Sequence, residues 1–336
     1  MPSLIDQNAA SGKHDDMADI MQNNHKIEFS IVICTLHNME GLEKCIISIT
    51  QQTFKPNEVI IVHGDTDEEM EESITKRMHP ILQSSLITLK YIKTIKSLVI
   101  QRNIGIDNAY GDVIIFLDDD VILEKDYFYY LFEVYQLKWS ENLGGVQGTL
   151  IENNIEEFCQ IKEALKKIFL LGSMTGSGRL LPSANTSFLG NPKEIEKVEI
   201  FNGCMMSFRR DILLKNRFDT NFKEFWVCDD AELSYRISKK YHLYQTPFAK
   251  LHHVSSSQNY EGYQKIAKML VFNRLYIFRL YFSNLKKNWF LFFWSNIGEL
   301  FYRIIKSIEL RNAGTLIGFL EGWKLVLLKK GYPYKK

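Results

Sequence analysis

The sequence predicts an α/β fold, a mainly parallel sheet flanked by helices and followed by a helical C-terminal extension. Three observations carry that expectation. Short runs of consecutive apolar, largely β-branched residues alternate with helical patterns between Phe29 and Leu117, as strands do when both faces are covered and the crossovers are helices. Three of these runs end in polar clusters, CTLHN, HGDTD and DDD, at the carboxyl ends where open sheets of this kind bind ligands. From Tyr263 onward the pattern is helical almost to the last residue.

The elements follow in order. Residues 1–27 lack both the charged start and the apolar stretch of a secretory signal, and read as a polar, mobile arm. FSIVIC opens the first strand at Phe29 and stops at Thr35; a helix is expected over Gly41–Gln51. EVIIV gives the second strand, Glu58–Val62, and HGDTD its turn. A helix over Glu68–Gln83, a strand over Leu86–Lys90, a helix over Ser97–Tyr110 and the strand Asp112–Leu117 complete the alternation. A helix is expected over Ile155–Leu170. The Gly- and Ser-rich stretch GSMTGSGRLLPSANTS after it reads as a mobile loop, because its GSG follows no strand and lacks the spacing and the Lys of a phosphate-binding turn. VEIFNGCMMSFRRDILL reads as an apolar strand leading into a helix, and VCDDAELSYRISKKY places Leu233 and Ile237 on one helical face.

The 336 residues suffice for one full-sized domain or two small ones, and 46% hydrophobic with 24% charged residues is the composition of an ordered globular chain. The 41 Lys+Arg balance 40 Asp+Glu, which with the absence of binding motifs argues against a nucleic-acid partner. Five scattered cysteines without CxxC spacing indicate neither a disulfide framework nor a zinc cluster, and fit a reducing compartment. The charge balance conceals an asymmetry: residues 265–336 hold 14 Lys+Arg against 3 Asp+Glu, and 16 of the 43 aromatic residues. Within them Phe290, Phe293, Trp294, Ile297, Phe301, Ile304, Ile305 and Ile308 fall on one helical face, with Arg303 and Lys306 off it. A second apolar patch, GTLIGFLEGWKLVLLKKG, follows and ends in Lys329 and Lys330. Such a stripe either packs on protein or lies in an anionic membrane surface. Peripheral membrane contact through 265–336 is expected, and no stretch is long enough to span a bilayer.

The chemistry concentrates in carboxylates. Asp118, Asp119 and Asp120 follow an all-apolar strand, and three adjacent carboxylates repel one another unless a cation sits between them. Oxygen ligands of this kind suit Mg²⁺ or Mn²⁺, which complete their shells with substrate phosphates. Asp229 and Asp230 open a helix after the aromatic run FKEFWV. They could serve as caps, but apolar surroundings would raise a carboxyl toward the range of a general base. His252 and His253 follow the strand candidate TPFAKL, and one imidazole could complete a divalent-metal shell.

In this order along the chain, the blocks FSIVICTLHN, QQTFKPNEVIIVHGDTDE, QRNIGIDNAYGDVIIFLDDDV, FNGCMMSFRRDILL, RFDTNF, CDDAELSYRI and LHHVSS resemble the family 2 glycosyltransferases of GT-A fold, over about Phe29 to Phe282. The resemblance implies a Rossmann-like GT-A domain, a nucleotide-sugar donor bound at the first strand ends, a divalent metal, and inverting transfer by a single displacement. It divides the chain into a nucleotide-sugar-binding half (28–145), an acceptor and catalytic-base half (146–262) and the basic aromatic extension (263–336). It makes Thr35 a nucleotide contact, puts Asp118 near ribose and base, and gives Asp120 the metal with Asp119 as a possible sharer. Arg102 and Asn103 border the donor. Asp230 is the base, with Asp229 its acidic neighbour, and His252 is the metal-side His, with His253 the alternative.

The match departs at VHGDTD, where His63 takes the base-contacting place of an Asp, and at Leu36 and His37, where Tyr-Asn is common. UDP, dTDP and GDP sugars all remain open, UDP being ranked first on family frequency. The placement suits an enzyme adding sugars to a saccharide or lipid-linked saccharide at the cytoplasmic face of a membrane. A phosphatase-like reading is disfavoured because the triplet sits on a late strand and Ile122 replaces the usual Thr. A nucleotidyltransferase would show a Gly-rich basic loop where this chain has CTLHNMEG. A non-catalytic membrane-bound scaffold of the same fold would not need DDD, Asp230 and His252 together.

Overall fold

A computed structural model describes residues 27–65, 68–151, 160–173, 176–222, 227–254 and 260–328. The N-terminal arm, the first part of the helix expected from Ile155, most of FKEFWV, and Lys329 and Lys330 lie outside the described residues.

The first half of the chain builds the parallel sheet. β1 (Phe29–Thr35), β2 (Glu58–His63) and β4 (Val113–Asp118) are buried along nearly their whole lengths. Their side chains alternate between two cores: Phe29, Ile31, Ile33, Val59 and Ile61 meet α1 (Met39–Thr50) and α2 (Glu68–Ser84), whereas Val32, Ile60 and Val62 meet α3 (Leu98–Asn108) on the other face. This is the period-2 division of a strand covered on both sides. β3 (Thr88–Lys93) completes the parallel order β3-β2-β1-β4. It starts two residues later than the sequence indicates, because Leu86 takes a left-handed φ of 60° and stands in solvent at 93% exposure, a conformation no strand continues through.

Beyond β4 the sheet becomes mixed. β5 (Val121–Leu123) leaves the aspartate triplet at once, α4 (Tyr127–Lys138) crosses over, and β6 (Leu143–Leu150) enters next to β10 (Met206–Arg209), which runs antiparallel to both β4 and β6. One sheet therefore joins the two expected halves, and residue 145 lies inside β6. α5 (Gln160–Ile168) follows, then a small hairpin of β7 (Arg179–Leu180) and β8 (Thr186–Ser187), β9 (Glu196–Val198), and α6 (Arg210–Leu213) directly after β10. α7 (Asp229–Ser238) leads to β11 (His242–His253), parallel to β6 and antiparallel to β9 and β5.

The described residues of the loop expected to be mobile after α5 instead form a hairpin held by specific hydrogen bonds. Its GSG turn is spent internally: Gly176 donates to the Phe188 carbonyl, and the Gly178 carbonyl accepts from Glu199 and Ile200. Ser183 and Asn185 both donate to the Leu170 carbonyl, and Asn185 also reaches the Ser295 hydroxyl at 2.7 Å. Composition indicated flexibility; buried polar side chains with partners 110 residues away supply the order.

α8 (Tyr260–Tyr281), α9 (Lys286–Glu309) and α10 (Gly314–Leu327) form the extension. α10 lies directly on α8 through the buried Gly318 and Gly322. A Cβ on Gly318 would stand 2.0 Å from the Gln264 carbonyl oxygen. Gly318→Val should therefore lower unfolding stability by about 2–3 kcal/mol. A denaturant midpoint measures this, with Leu320→Ala on the exposed face as a control that leaves it unchanged; a midpoint for Gly318→Val equal to that control would contradict the packing.

Arg303, off the apolar stripe, faces inward: it is buried, 3.1 Å from Glu299, and donates to the Thr315 hydroxyl at 2.6 Å, while Arg274 of α8 lies 3.9 Å from the same Glu299. Two buried guanidinium groups around one carboxylate tie the three helices together and are withheld from any lipid. The apolar stripe of α9 does face outward. Phe290, Phe293, Ile297, Phe301, Ile304 and Ile308 are exposed, whereas Trp294 turns aside to stack on Phe169 at 4.7 Å. Among the described residues no helix is long and apolar enough to cross a membrane.

Candidate active site

The sheet brings the carboxylates of both halves to one place. Asp118 ends β4 beside Cys34 of β1, and Asp120 lies one residue before β5. β5 pairs antiparallel with the end of β11 so that His253 stands opposite Val121, and Val254 donates its N–H to the Asp120 carbonyl at 2.8 Å. That register sets the His253 imidazole 3.2 Å from the Asp120 carboxylate. One ligand atom each from Asp118, Asp120 and His253 lie within 4.8 Å of one another, two oxygens and one nitrogen that suit Mn²⁺ or Mg²⁺. The residues present thus fit a divalent cation.

His252, the first choice on sequence, faces the other way. Neighbouring strand residues point to opposite sides, and its Nε2 lies 3.3 Å from Glu124. His253 is the imidazole of the aspartate cluster. Asp119 is also turned out of that group: Thr35 donates to it at 2.6 Å and Asn38 at 3.0 Å. Thr35 and Asp119 therefore hold each other across the ends of β1 and β4, with Asn38 also capping α1 through the Gly41 N–H.

Burial pushes the carboxyls of Asp118, Asp119 and Asp120 up, and neighbouring carboxylates raise them further; Arg102 opposes the shift at Asp118, the hydroxyl of Thr35 at Asp119 and His253 at Asp120. Concentrated, partly desolvated negative charge of this kind is what a cation relieves.

Asp229 and Asp230 differ sharply in their surroundings. Asp229 is buried and lies 2.6 Å from the Arg102 guanidinium; burial pushes it up to about 6 against the pull of that cation. Asp230 is half-buried. Its Oδ2 accepts from the Gly203 N–H at 2.7 Å and its Oδ1 from the Ala231 N–H at 2.8 Å. Burial raises its carboxyl as well, while Arg102 and the two N–H groups oppose the rise. Each oxygen keeps a further lone pair, so Asp230 retains acceptor capacity where Asp229 is committed.

The remaining site residues named from sequence are held inside the protein. His63 is fully buried, its Nε2 donating to the Leu36 carbonyl at 2.7 Å and its Nδ1 2.8 Å from the Tyr91 hydroxyl. His37 and Asp65, in the loops after β1 and β2, lie 3.4 Å apart and open to solvent. Asn103 exchanges two bonds of 3.0 Å with the backbone of Phe218. Gly203 and Asn38 were missed on sequence; the first acts through its backbone, which no side-chain pattern announces, and the second sits in the CTLHN cluster as an ordinary cap. Among the described residues Cys34, Cys45, Cys204 and Cys228 are free thiols, and Cys159 lies outside them.

The model of the family described as glycosyl transferase family 2 matches residues 30–217, more than half of the chain. The chain is 25% identical over 259 residues to a GalNAc(5)-diNAcBac-PP-undecaprenol beta-1,3-glucosyltransferase of Campylobacter jejuni, covering 72% of this chain and 74% of that protein. Among solved structures it is similar to the mannosyltransferase PcManGT of Pyrobaculum calidifontis in complex with GDP-Man and Mn²⁺, at TM-score 0.56 and 13% identity over 91% of this chain and 89% of that one. It is also similar to GalNAc-T7 with UDP, GalNAc and Mn²⁺, at TM-score 0.51 and 14% identity, covering 74% of this chain and 48% of that chain. At these identities the structural likeness concerns the fold.

Proposed function

Since the chain belongs to glycosyl transferase family 2 and is a glycosyltransferase of GT-A fold, we propose that it moves a sugar with inversion from a nucleoside-diphosphate sugar to a hydroxyl of a lipid-linked saccharide, in the synthesis of a cell-surface glycan. The observation that carries this reading is that Asp118, Asp120 and His253 lie together where β4, β5 and β11 end, and that Arg102 bridges from Asp118, at 3.7 Å, to Asp229, at 2.6 Å, the residue directly before Asp230. Asp118, Asp120 and His253 would hold Mn²⁺ or Mg²⁺, which when bound neutralises charge building on the departing diphosphate. Asp230 accepts the proton of the attacking hydroxyl, its orientation fixed by the Gly203 and Ala231 N–H groups. In this reading residues 28–145 take the donor and 146–262 the acceptor. UDP sugars rank first as donors; the GDP-Man in complex with the Pyrobaculum mannosyltransferase keeps GDP sugars as the second candidate.

A screen of UDP, dTDP and GDP sugars with Mn²⁺ or Mg²⁺, read as nucleoside-diphosphate release, tests the reading. Release with one base and only with metal is expected. No release and no nucleotide binding under any of these conditions would sink it.

The lipid-linked acceptor rests on the Campylobacter relative's name and on the exposed face of α9. From Phe290 to Ile308 that face runs for about 27 Å, longer than the scattered apolar residues of an ordinary surface. Lys286 and Lys287 stand exposed at its start, and Lys167 of α5 lies where Phe169 meets α9. We read this as contact with anionic lipid at the cytoplasmic face of a membrane. The full chain should float with phosphatidylglycerol-containing vesicles, and Phe293→Glu/Ile297→Glu should remain in the soluble fraction at unchanged melting temperature. Equal flotation of both chains would refute that contact.

A further inference from the structure

Gln101, Arg102 and Asn103 lie in succession on α3, and each holds a different part of the site. Gln101 donates to the Thr35 and Val62 carbonyls at 3.0 and 2.8 Å, joining the ends of β1 and β2. Asn103 fixes Phe218, and the Arg102 guanidinium lies 5.4 Å from the centre of that ring. Arg102 itself is 4% exposed.

We propose that Arg102 is a positioning residue for the base, acting through Asp229 and the Gly203 peptide, rather than a contact to the donor; this rests on the reading of Asp230 as base. Its Nη1 lies 2.6 Å from Asp229, the residue immediately before Asp230, and its Nη2 donates to the Gly203 carbonyl at 3.3 Å. The N–H of that same Gly203 donates to Asp230 at 2.7 Å. Gly203 is therefore held at both of its backbone groups, its carbonyl by the guanidinium and its N–H, in the preceding peptide unit, by the Asp230 carboxylate. A side chain there would press on both groups: a Cβ on Gly203 would lie 2.9 Å from the Arg102 Nη2 and 3.2 Å from Asp230. Arg102 also comes within 3.7 Å of Asp118, so one cation on α3 spans from the end of β4 to the start of α7. A planar fork can do this where a point-charged ammonium cannot. Asp229, buried and paired, is explained by the same contact: it anchors the guanidinium that orients the neighbouring carboxylate.

The test uses the full chain with Mn²⁺, with UDP as the binding probe and GDP in parallel, and the sugar nucleotide that the unmodified chain turns over. Arg102→Lys keeps the charge but cannot hold Asp229 and the Gly203 carbonyl together. It should lose about 100-fold in kcat, the scale of a misplacement near 1 Å, while nucleotide Kd and donor KM stay within about twofold. Arg102→Met leaves the buried Asp229 without its cation and threatens folding, so the second variant is Arg102→Met/Asp229→Leu. That pair removes both charges and should recover the melting temperature while kcat remains low.

A tenfold weaker nucleotide Kd with kcat retained in Arg102→Lys would return Arg102 to the donor site and overturn the proposal. Recovery of kcat in the double variant would also overturn it, by showing that the ion pair only stabilises the fold. Failure of the base assignment is separable, because it is seen in Asp230→Asn with Arg102 intact.

Discussion

Asp230→Asn is expected to abolish transfer, by about 10³-fold or more, while binding of the nucleoside diphosphate with Mn²⁺ is retained. An amide cannot take the proton of an attacking hydroxyl. It also presents an NH₂ where the carboxylate presents oxygen to Gly203 and Ala231, so one of those contacts is lost and the melting temperature should be read beside turnover. Calorimetric nucleotide binding separates loss of the base from loss of the fold. A variant with near-normal turnover would remove Asp230 from the role. Asp229 cannot replace it, since that carboxylate is buried and held at 2.6 Å by Arg102.

The first half of the fold was legible because its strands are continuous Val and Ile runs, which no surface helix can use. β1, β2, β4 and their helices fall within one or two residues of the positions read from pattern. The mixed second half was not, because β6, LGGVQGTL, carries three glycines and two polar residues and draws its burial from β10 and β11 on either side. The DDD triplet and the DD pair stood out in the sequence as candidate site residues. Their division of labour was hidden, since the sequence cannot say that Asp119 is taken by Thr35 and Asn38 or that Arg102 is spent on Asp229. The stripe on α9 was visible as a period; that it faces outward while Arg303 faces in depends on how the helix is rotated against α8 and α10.

The choice between the two adjacent histidines gives a sharp comparison with the metal-side aspartate. Asp120→Asn should weaken Mn²⁺ binding in the presence of UDP by at least ~100-fold, at the upper end of what loss of even an outer-shell partner costs, and should remove metal-dependent nucleotide release. His253→Ala should weaken Mn²⁺ binding by about 10-fold or more, because its ring is 3.2 Å from Asp120 and within reach of Asp118. His252→Ala should leave it within about twofold, since its ring pairs with Glu124 on the opposite side of β11. Titration of Mn²⁺ into each UDP-bound variant measures all three without requiring the acceptor. Equal losses from the two histidine variants would contradict the register of β11 against β5, because a strand cannot turn consecutive side chains to the same face.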